Sequence, residues 1–134
     1  TLSPNHPYFF LADGALCRTA GNTLLFYPNA RENRTYRIPD GIAAISAYAF
    51  YDCDLLESVV IPDSITQIPE RAFYGCSALA SVSLPDSLTE IGNGAFSNCT
   101  ALTLTVTPDS YAAEYAKANN IPCTYPDAND WLNN

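Results

Sequence analysis

The chain has 134 residues, of which 48% are hydrophobic and 15% are charged, and its formal net charge is −8 at pH 7. This composition is typical of one folded domain, and no stretch reaches the roughly 18 uninterrupted apolar residues of a membrane helix, so we expect no insertion into a membrane. Six Lys and Arg residues against 14 Asp and Glu argue against nucleic acid as a partner, because affinity for its phosphates comes from clustered cations.

Residues 1–37 lie before the repeats and predict a strand-rich N-terminal cap. Segments 8–11 and 15–17 flank an Asp-Gly turn at Asp13, and segment 23–27 predicts a third strand. Such a cap would cover the first coil of a repeat structure, whose strand edge and apolar core would otherwise meet water. No leader precedes Thr1, so we expect that one has been removed and that the chain belongs to a longer protein.

Three arginines, Arg31, Arg34 and Arg37, cluster at the end of this cap in an otherwise acidic chain. They fit a solvated bend that Glu32 partly neutralises, and they also fit a contact point for an anionic partner. Both interpretations stay open.

Residues 38–106 are written as three copies of a 23-residue unit: IPDGIAAISAYAFYDCDLLESVV, IPDSITQIPERAFYGCSALASVS and LPDSLTEIGNGAFSNCTALTLTV. The Pro-Asp pair recurs at the same spacing through Pro108 and Asp109. A fixed period of this length predicts a solenoid, in which each copy buries its apolar face only against its neighbours.

Each copy predicts one strand and one turn. Leu56, Val59 and Ile61 alternate with outward positions, so stacked copies form a parallel sheet. Isoleucines and an Ala-Phe pair at spacings of three and four predict a short helical turn on the opposite side. The sequence therefore predicts an α/β solenoid. The outward strand positions are the expected contact surface: Thr35 and Arg37, Ser58 and Val60, Ser81 and Ser83, Leu104 and Val106.

Three further columns recur with the period. Cys53, Cys76 and Cys99 are predicted to stack as small buried residues whose parallel side chains disfavour a disulfide, and the odd count of five cysteines without a CxxC pair indicates neither a disulfide framework nor a zinc site. The aspartates Asp40, Asp63, Asp86 and Asp109 are predicted to cap turns, with a calcium ladder as the alternative. Tyr51 and Tyr74 are expected to face outward, where tyrosines often join interfaces.

Residues 107–134 predict a C-terminal cap and tail. An alanine-rich helix over 111–118, begun by Asp109 or Ser110 and stopped at Asn119, would cover the last coil. Segment 121–125 predicts a last edge strand, and Trp131 is the expected anchor of the tail.

The repeat resembles the bacterial leucine-rich repeats of the BspA type, whose unit reads I-P-x-S-[VL]-T-x-I-G-x-x-A-F-x-x-C-x-x-L-x-x-[VI]-x. The segment LPDSLTEIG at 84–92 and the segment AFSNC at 95–99 fit it almost column by column, and Pro69 departs from the glycine of the unit. The resemblance implies a leucine-rich repeat fold and a secreted or surface-displayed bacterial protein that binds other macromolecules, often a host or matrix protein, without catalysis.

No enzyme motif competes with this interpretation, because His6 is the single histidine and no nucleophile, phosphate-loop or metalloprotease pattern is present. We therefore expect a non-catalytic protein-binding module without a cofactor. The candidate contact residues are Arg31, Arg34, Arg37, Ser58, Val60, Ser81, Ser83, Tyr51 and Tyr74. A structural spacer or stalk segment is the alternative, and a glycan-binding module is a weaker one, since no aromatic platform is evident in the sequence.

Overall fold

The computed structural model describes residues 8–28 and 33–125, which form short strands and one α-helix that lies between the last two strands in the chain. The strands are β1 (Phe9–Ala12), β2 (Ala15–Arg18), β3 (Thr23–Phe26), β4 (Thr35–Arg37), β5 (Ala44–Ile45), β6 (Ser58–Val60), β7 (Gln67–Ile68), β8 (Ser81–Ser83), β9 (Glu90–Ile91), β10 (Thr103–Thr105) and β11 (Cys123–Thr124). The helix is α1 (Tyr111–Ala118), and a 3-10 turn spans Ala20–Asn22.

Successive coils superimpose in a parallel five-stranded sheet with the order β11-β10-β8-β6-β4. Val59 of β6 lies opposite Tyr36 of β4 on one side and Val82 of β8 on the other, and all three side chains point into the core. The predicted solenoid is therefore confirmed, with equivalent residues of neighbouring coils in register.

An aromatic column runs through the centre of the coils. The rings of Phe50 and Phe73 stack with centroids 4.7 Å apart, and those of Phe73 and Phe96 with centroids 5.3 Å apart. Tyr27 of the N-terminal cap extends the column at one end and Tyr115 of α1 at the other, at 5.3 and 6.3 Å. Both caps thus supply a ring to the same internal row, which joins them to the repeats in one core.

The side opposite the sheet differs from the expected helical turns. Each coil there has a two-residue strand, β5, β7 or β9, followed by turns with hydrogen bonds between residues three apart, such as Ala49 N to Ser46 O and Tyr51 N to Tyr48 O. Two positions in each coil have positive φ, for example Tyr48 at 62° and Asp52 at 53°. A left-handed residue interrupts a right-handed helix, so the turns do not merge into one.

The outward positions Leu104 and Val106 were predicted wrongly, since both are buried and Thr103 and Thr105 occupy the outer face of β10. The third coil has one residue fewer before its strand, in Leu102-x-Leu104 against Leu79-x-x-Val82. The segment between this strand and Pro108 is one residue longer than in the other coils, which restores the 23-residue period of the Pro-Asp pairs. Burial of two large apolar side chains therefore decides the local register, and the prolines alone do not report it.

The N-terminal cap has the predicted strands. β1 and β2 pair antiparallel across the Asp13–Gly14 turn, and β3 pairs with β2 and, in parallel, with β5 of the first coil. The buried hydroxyl of Tyr36 donates to the Ala12 carbonyl at 2.7 Å, which fixes the hairpin to β4.

The predicted C-terminal helix and edge strand are also present. Ser110 caps α1, because its Oγ accepts from Ala113 N at 3.1 Å. The hydroxyl of Tyr111 accepts from Ile91 N at 3.1 Å and so satisfies a backbone donor of β9. β11 adds to β10 as the last strand of the sheet. Trp131 lies outside the described residues.

Candidate binding surface

The outer side of the five-stranded sheet, here called the strand face, is built from two rows of short side chains. One row is Thr35, Ser58, Ser81 and Thr103, and the other is Arg37, Val60, Ser83 and Thr105. Thr35 and Arg37 are exposed and the others are half-buried. The structure therefore brings the four predicted strand positions Ser58, Val60, Ser81 and Ser83 together on one hydroxyl-rich surface.

Of the three arginines, Arg37 belongs to the strand face, where it lies opposite Val60 at the β4 edge. Arg34 donates to Glu57 of the next coil at 2.7 Å, in an exposed ion pair. An exposed pair contributes about 0–1 kcal/mol and is screened by salt, so it does not lock Arg34 in place. Arg31 lies outside the described residues.

The predicted tyrosines lie on the turns before β6 and β8, away from the strands themselves. Tyr51 is 41% exposed and stacks on Tyr74 with centroids 5.4 Å apart, and Tyr48 packs edge-on against Tyr51 at 5.8 Å. Sequence reasoning missed Tyr48. The equivalent residue of the third coil is Gly94, which also has positive φ. A glycine at this position of the repeat could have indicated a left-handed backbone there.

The arrangement of these rings argues against a sugar platform. Tyr51 and Tyr74 are nearly parallel, with 13° between their planes, so each covers one face of the other. A pyranose ring packs on an open aromatic face, and this pair offers solvent less of it than two separate tyrosines would.

The cysteine column has a structural role. The Sγ atoms of Cys76 and Cys99 donate to the Phe50 and Phe73 carbonyls at 3.0 Å, and all five cysteines are free thiols. The hydrogen bond with the Cys53 thiol, together with burial, raises the pKa of Cys76 to about 12. A protonated, buried thiol is a poor nucleophile, so Cys76 is held in an unreactive form.

The aspartate column consists of the second residues of the Pro-Asp pairs, and all four aspartates are exposed on turns. Ile65 N donates to the Pro62 carbonyl at 3.1 Å to close one such turn, and Ser64 Oγ donates to Ile42 O of the preceding coil at 2.7 Å. Within residues 8–28 and 33–125, no three His, Cys, Asp or Glu side chains come together to hold a metal ion. His6 lies outside the described residues.

Parallel stacking of 23-residue coils, with one strand per coil and an internal ladder of Leu, Phe and Cys, defines the protein as a leucine-rich repeat solenoid. The model of the BspA type leucine rich repeat region matches residues 26–119 in six copies. The chain belongs to this family of bacterial leucine-rich repeats.

Solved structures show the same fold. A leucine-rich repeat protein from Eubacterium ventriosum is 30% identical, with a TM-score of 0.72 over 80% of this chain and 29% of that one. A leucine-rich repeat protein from Bacteroides ovatus is 25% identical, with a TM-score of 0.51 over 62% and 27%. The pneumococcal vaccine antigen PcpA is 22% identical, with a TM-score of 0.57 over 74% and 30%.

The chain thus spans less than a third of the length of these three proteins. No curated protein matches the sequence. In the part of the chain that the structure describes, no helix has both the length and the apolar character needed to cross a bilayer.

Proposed function

We propose that this chain is a non-catalytic protein-binding segment of a secreted or surface-displayed bacterial protein, and that it contacts its partner through the strand face. The observation that carries the proposal is the strand face itself, because two continuous rows of small side chains lie on a hydrogen-bonded sheet. Such a surface is rigid before binding, so little conformational entropy is lost when a partner docks.

The chemistry of the face supports a polypeptide partner. Ser58, Ser81 and Ser83 each offer a hydroxyl that both donates and accepts, which suits the amide and carboxylate groups of another protein. Arg37 adds a cation at the β4 edge, and there it would meet an anionic group of the partner. Repeat solenoids commonly bind on such extended surfaces.

The solved structures of similar proteins support the proposed location. The solved repeat proteins that this chain resembles come from bacteria, and the pneumococcal PcpA protein is a vaccine antigen. A host or matrix protein outside the cell is therefore the partner we propose. Surface labelling of intact producing cells with a membrane-impermeant biotin reagent tests the location, which a signal from lysed cells alone would refute.

The binding test uses Ser81→Arg in the middle of the strand face, with Ser77→Arg on an exposed turn as the matched control. Surface plasmon resonance against a panel of purified host matrix proteins should show saturable binding by the wild type. We expect binding about tenfold or more weaker for Ser81→Arg, because a long charged side chain at the centre of an interface blocks close contact. Equal binding by the two variants would refute the role of the strand face.

A structural spacer is the second candidate, and the continuous ladder from β4 to β11 favours it as a stiff unit. A spacer needs no ligand. Two results together would support the spacer over the binding module. The chain would bind no protein of the panel, and a longer protein that contains it would keep its full activity when the strand face is altered.

A further inference from the structure

The backbone hydrogen-bond ladder between coils is interrupted at one place on the side opposite the strand face. β5 pairs with β3 of the cap, and β7 pairs with β9 of the third coil, but no ladder joins β5 to β7 among the described residues. The two strands are neighbours in the stack and remain in contact, as β7 and β9 are, so what is missing between them is the backbone hydrogen-bond ladder.

Pro69 explains the interruption. At the equivalent positions of the flanking coils, Ser46 N donates to Leu24 O at 2.9 Å and Gly92 N donates to Ile68 O at 2.7 Å. Proline has no N–H, so the bond from position 69 to the Ile45 carbonyl cannot form.

The next coil differs at the equivalent position. A Cβ placed on Gly92 would lie 2.5 Å from Glu70 N, so the third coil approaches the second as closely as a glycine allows. Pro69 holds the corresponding position against the first coil with a full ring. The second and third coils are therefore joined at this position by a hydrogen bond that the first and second coils lack.

A groove of about 510 Å³ lies on this side of the stack, and residues of all three coils line it. One side is formed by Ala43, Ala44 and Ala47 of the first coil, and Pro69 is part of the other. Of the described residues that line the groove, Glu70 and Glu90 are the charged ones, and Gln67 and Asn93 add amide oxygens. The groove thus combines an alanine wall with negative charge and hydrogen-bond acceptors.

We infer that this groove binds an Arg or Lys side chain from an extended basic segment of a protein partner. The methylene stem of such a side chain would pack on the alanine wall, and its cationic head, which only donates hydrogen bonds, would meet the carboxylates and the Ile45 carbonyl. The net charge of −8 attracts a basic segment toward this surface. The groove is a second contact surface, separate from the strand face.

One competing contact lies next to the groove. Arg71 donates to Glu70 at 3.3 Å, but both side chains are about half exposed. Such a pair between adjacent surface residues contributes little in water. A guanidinium that also contacts Glu90 and the alanine wall can therefore replace Arg71 at the Glu70 carboxylate.

The test measures fluorescence anisotropy of a fluorescein-labelled hexapeptide of alternating Gly and Arg, titrated with the whole chain at low salt. The same peptide with citrulline in place of arginine keeps the shape and removes the charge. Glu70→Gln with Glu90→Gln alters the groove, and Glu57→Gln with Glu114→Gln changes the net charge equally at exposed sites outside the groove lining. Ala47→Leu fills the groove without changing charge.

We expect saturable binding of the arginine peptide and weak binding of the citrulline peptide. The groove double variant should bind about tenfold more weakly, at about threefold for each exposed carboxylate, while the control double variant is unchanged. Ala47→Leu should also weaken binding.

No saturable binding to the wild type, an equal loss in both double variants, or no effect of Ala47→Leu would overturn the inference. Unaltered thermal midpoints exclude unfolding as the cause of a loss. Ser81→Arg should leave peptide binding intact, so failure of the groove and failure of the strand face are told apart.

Discussion

Phe73→Ala removes the middle ring of the aromatic column and should strongly destabilise the fold. Phe73 is fully buried, with Phe50 stacked on one face and Phe96 on the other. Cys99 also donates its Sγ to the Phe73 carbonyl, so the residue lies where two internal rows meet. A side chain in this position has no neighbour that can move in to fill the space it leaves.

The expected loss follows from the cavity and the two aromatic pairs. Burial and cavity formation for Phe→Ala cost about 3–5 kcal/mol. The loss of two stacked pairs, each contributing about 0.5–1.5 kcal/mol, places this site at the upper end of that range. Because domains of this size are stable by about 5–15 kcal/mol, a loss of about 5 kcal/mol removes about a third or more of the free energy of unfolding.

Urea denaturation followed by circular dichroism measures the free energy of unfolding. Phe26→Ala is the matched control, since Phe26 is 44% exposed, and it should cost less than about 1 kcal/mol. If Phe73→Ala does not fold, Phe73→Leu should still cost about 1–2 kcal/mol through lost stacking and altered shape. A loss under about 1 kcal/mol in either Phe73 variant would refute the superposition of the coils.

Two other predictions concern the cysteine column and the C-terminal cap. Since the folded pKa of Cys76 is about 12 against an ordinary 9.0, its stabilising contribution should be complete below pH 9 and disappear as pH rises toward 12. The urea midpoint of the wild type should therefore fall between pH 9 and pH 11, and it should fall less in Cys76→Ser. The same pH dependence of the midpoint in both proteins, measured from pH 7 to 11, would contradict this prediction. Tyr111→Phe removes the acceptor for Ile91 N, so we expect about 1 kcal/mol of destabilisation and faster hydrogen exchange at the Ile91 amide; unchanged exchange would show that this contact does not protect β9.

Much of the fold could be predicted from the sequence because a repeat removes most alternatives. The recurrence of Phe50, Phe73 and Phe96 at 23 residues required equivalent side chains to stack, and their rings do so. Local signals were also enough to predict the Asp13–Gly14 turn, and they narrowed the N-cap of α1 to Asp109 or Ser110.

The strand face was predicted for its first three strands and missed at the fourth. The Pro-Asp pair keeps its period through Pro108, which hides the compensating loss and gain of one residue around Leu104. Burial in three dimensions determines which of two alternating sets faces inward, and this was not evident from the spacing of the prolines. The structure differs from the expected helical turns for a similar reason, since the path of the backbone around the coil sets the positive φ of Tyr48 and Asp52.

The groove could not be read from the sequence, although Pro69 was visible there as a departure from the repeat unit. A missing donor in one coil matters only when the partner carbonyl of the adjacent coil is known, and that partner is 24 residues away. The pairing of Arg34 with Glu57 likewise joins two coils and depends on how they stack.

The sequence by itself determined the number of residues in a coil, the side chains that form its core and the positions of both caps, because these follow from a period and from local turn and helix signals. Only the tertiary structure decided which residues face solvent on β10, which arginines pair with carboxylates and where the hydrogen-bond ladder between consecutive coils is broken. These features depend on contacts between residues about one repeat apart, where one absent N–H or one shifted residue changes the outcome while the period stays the same.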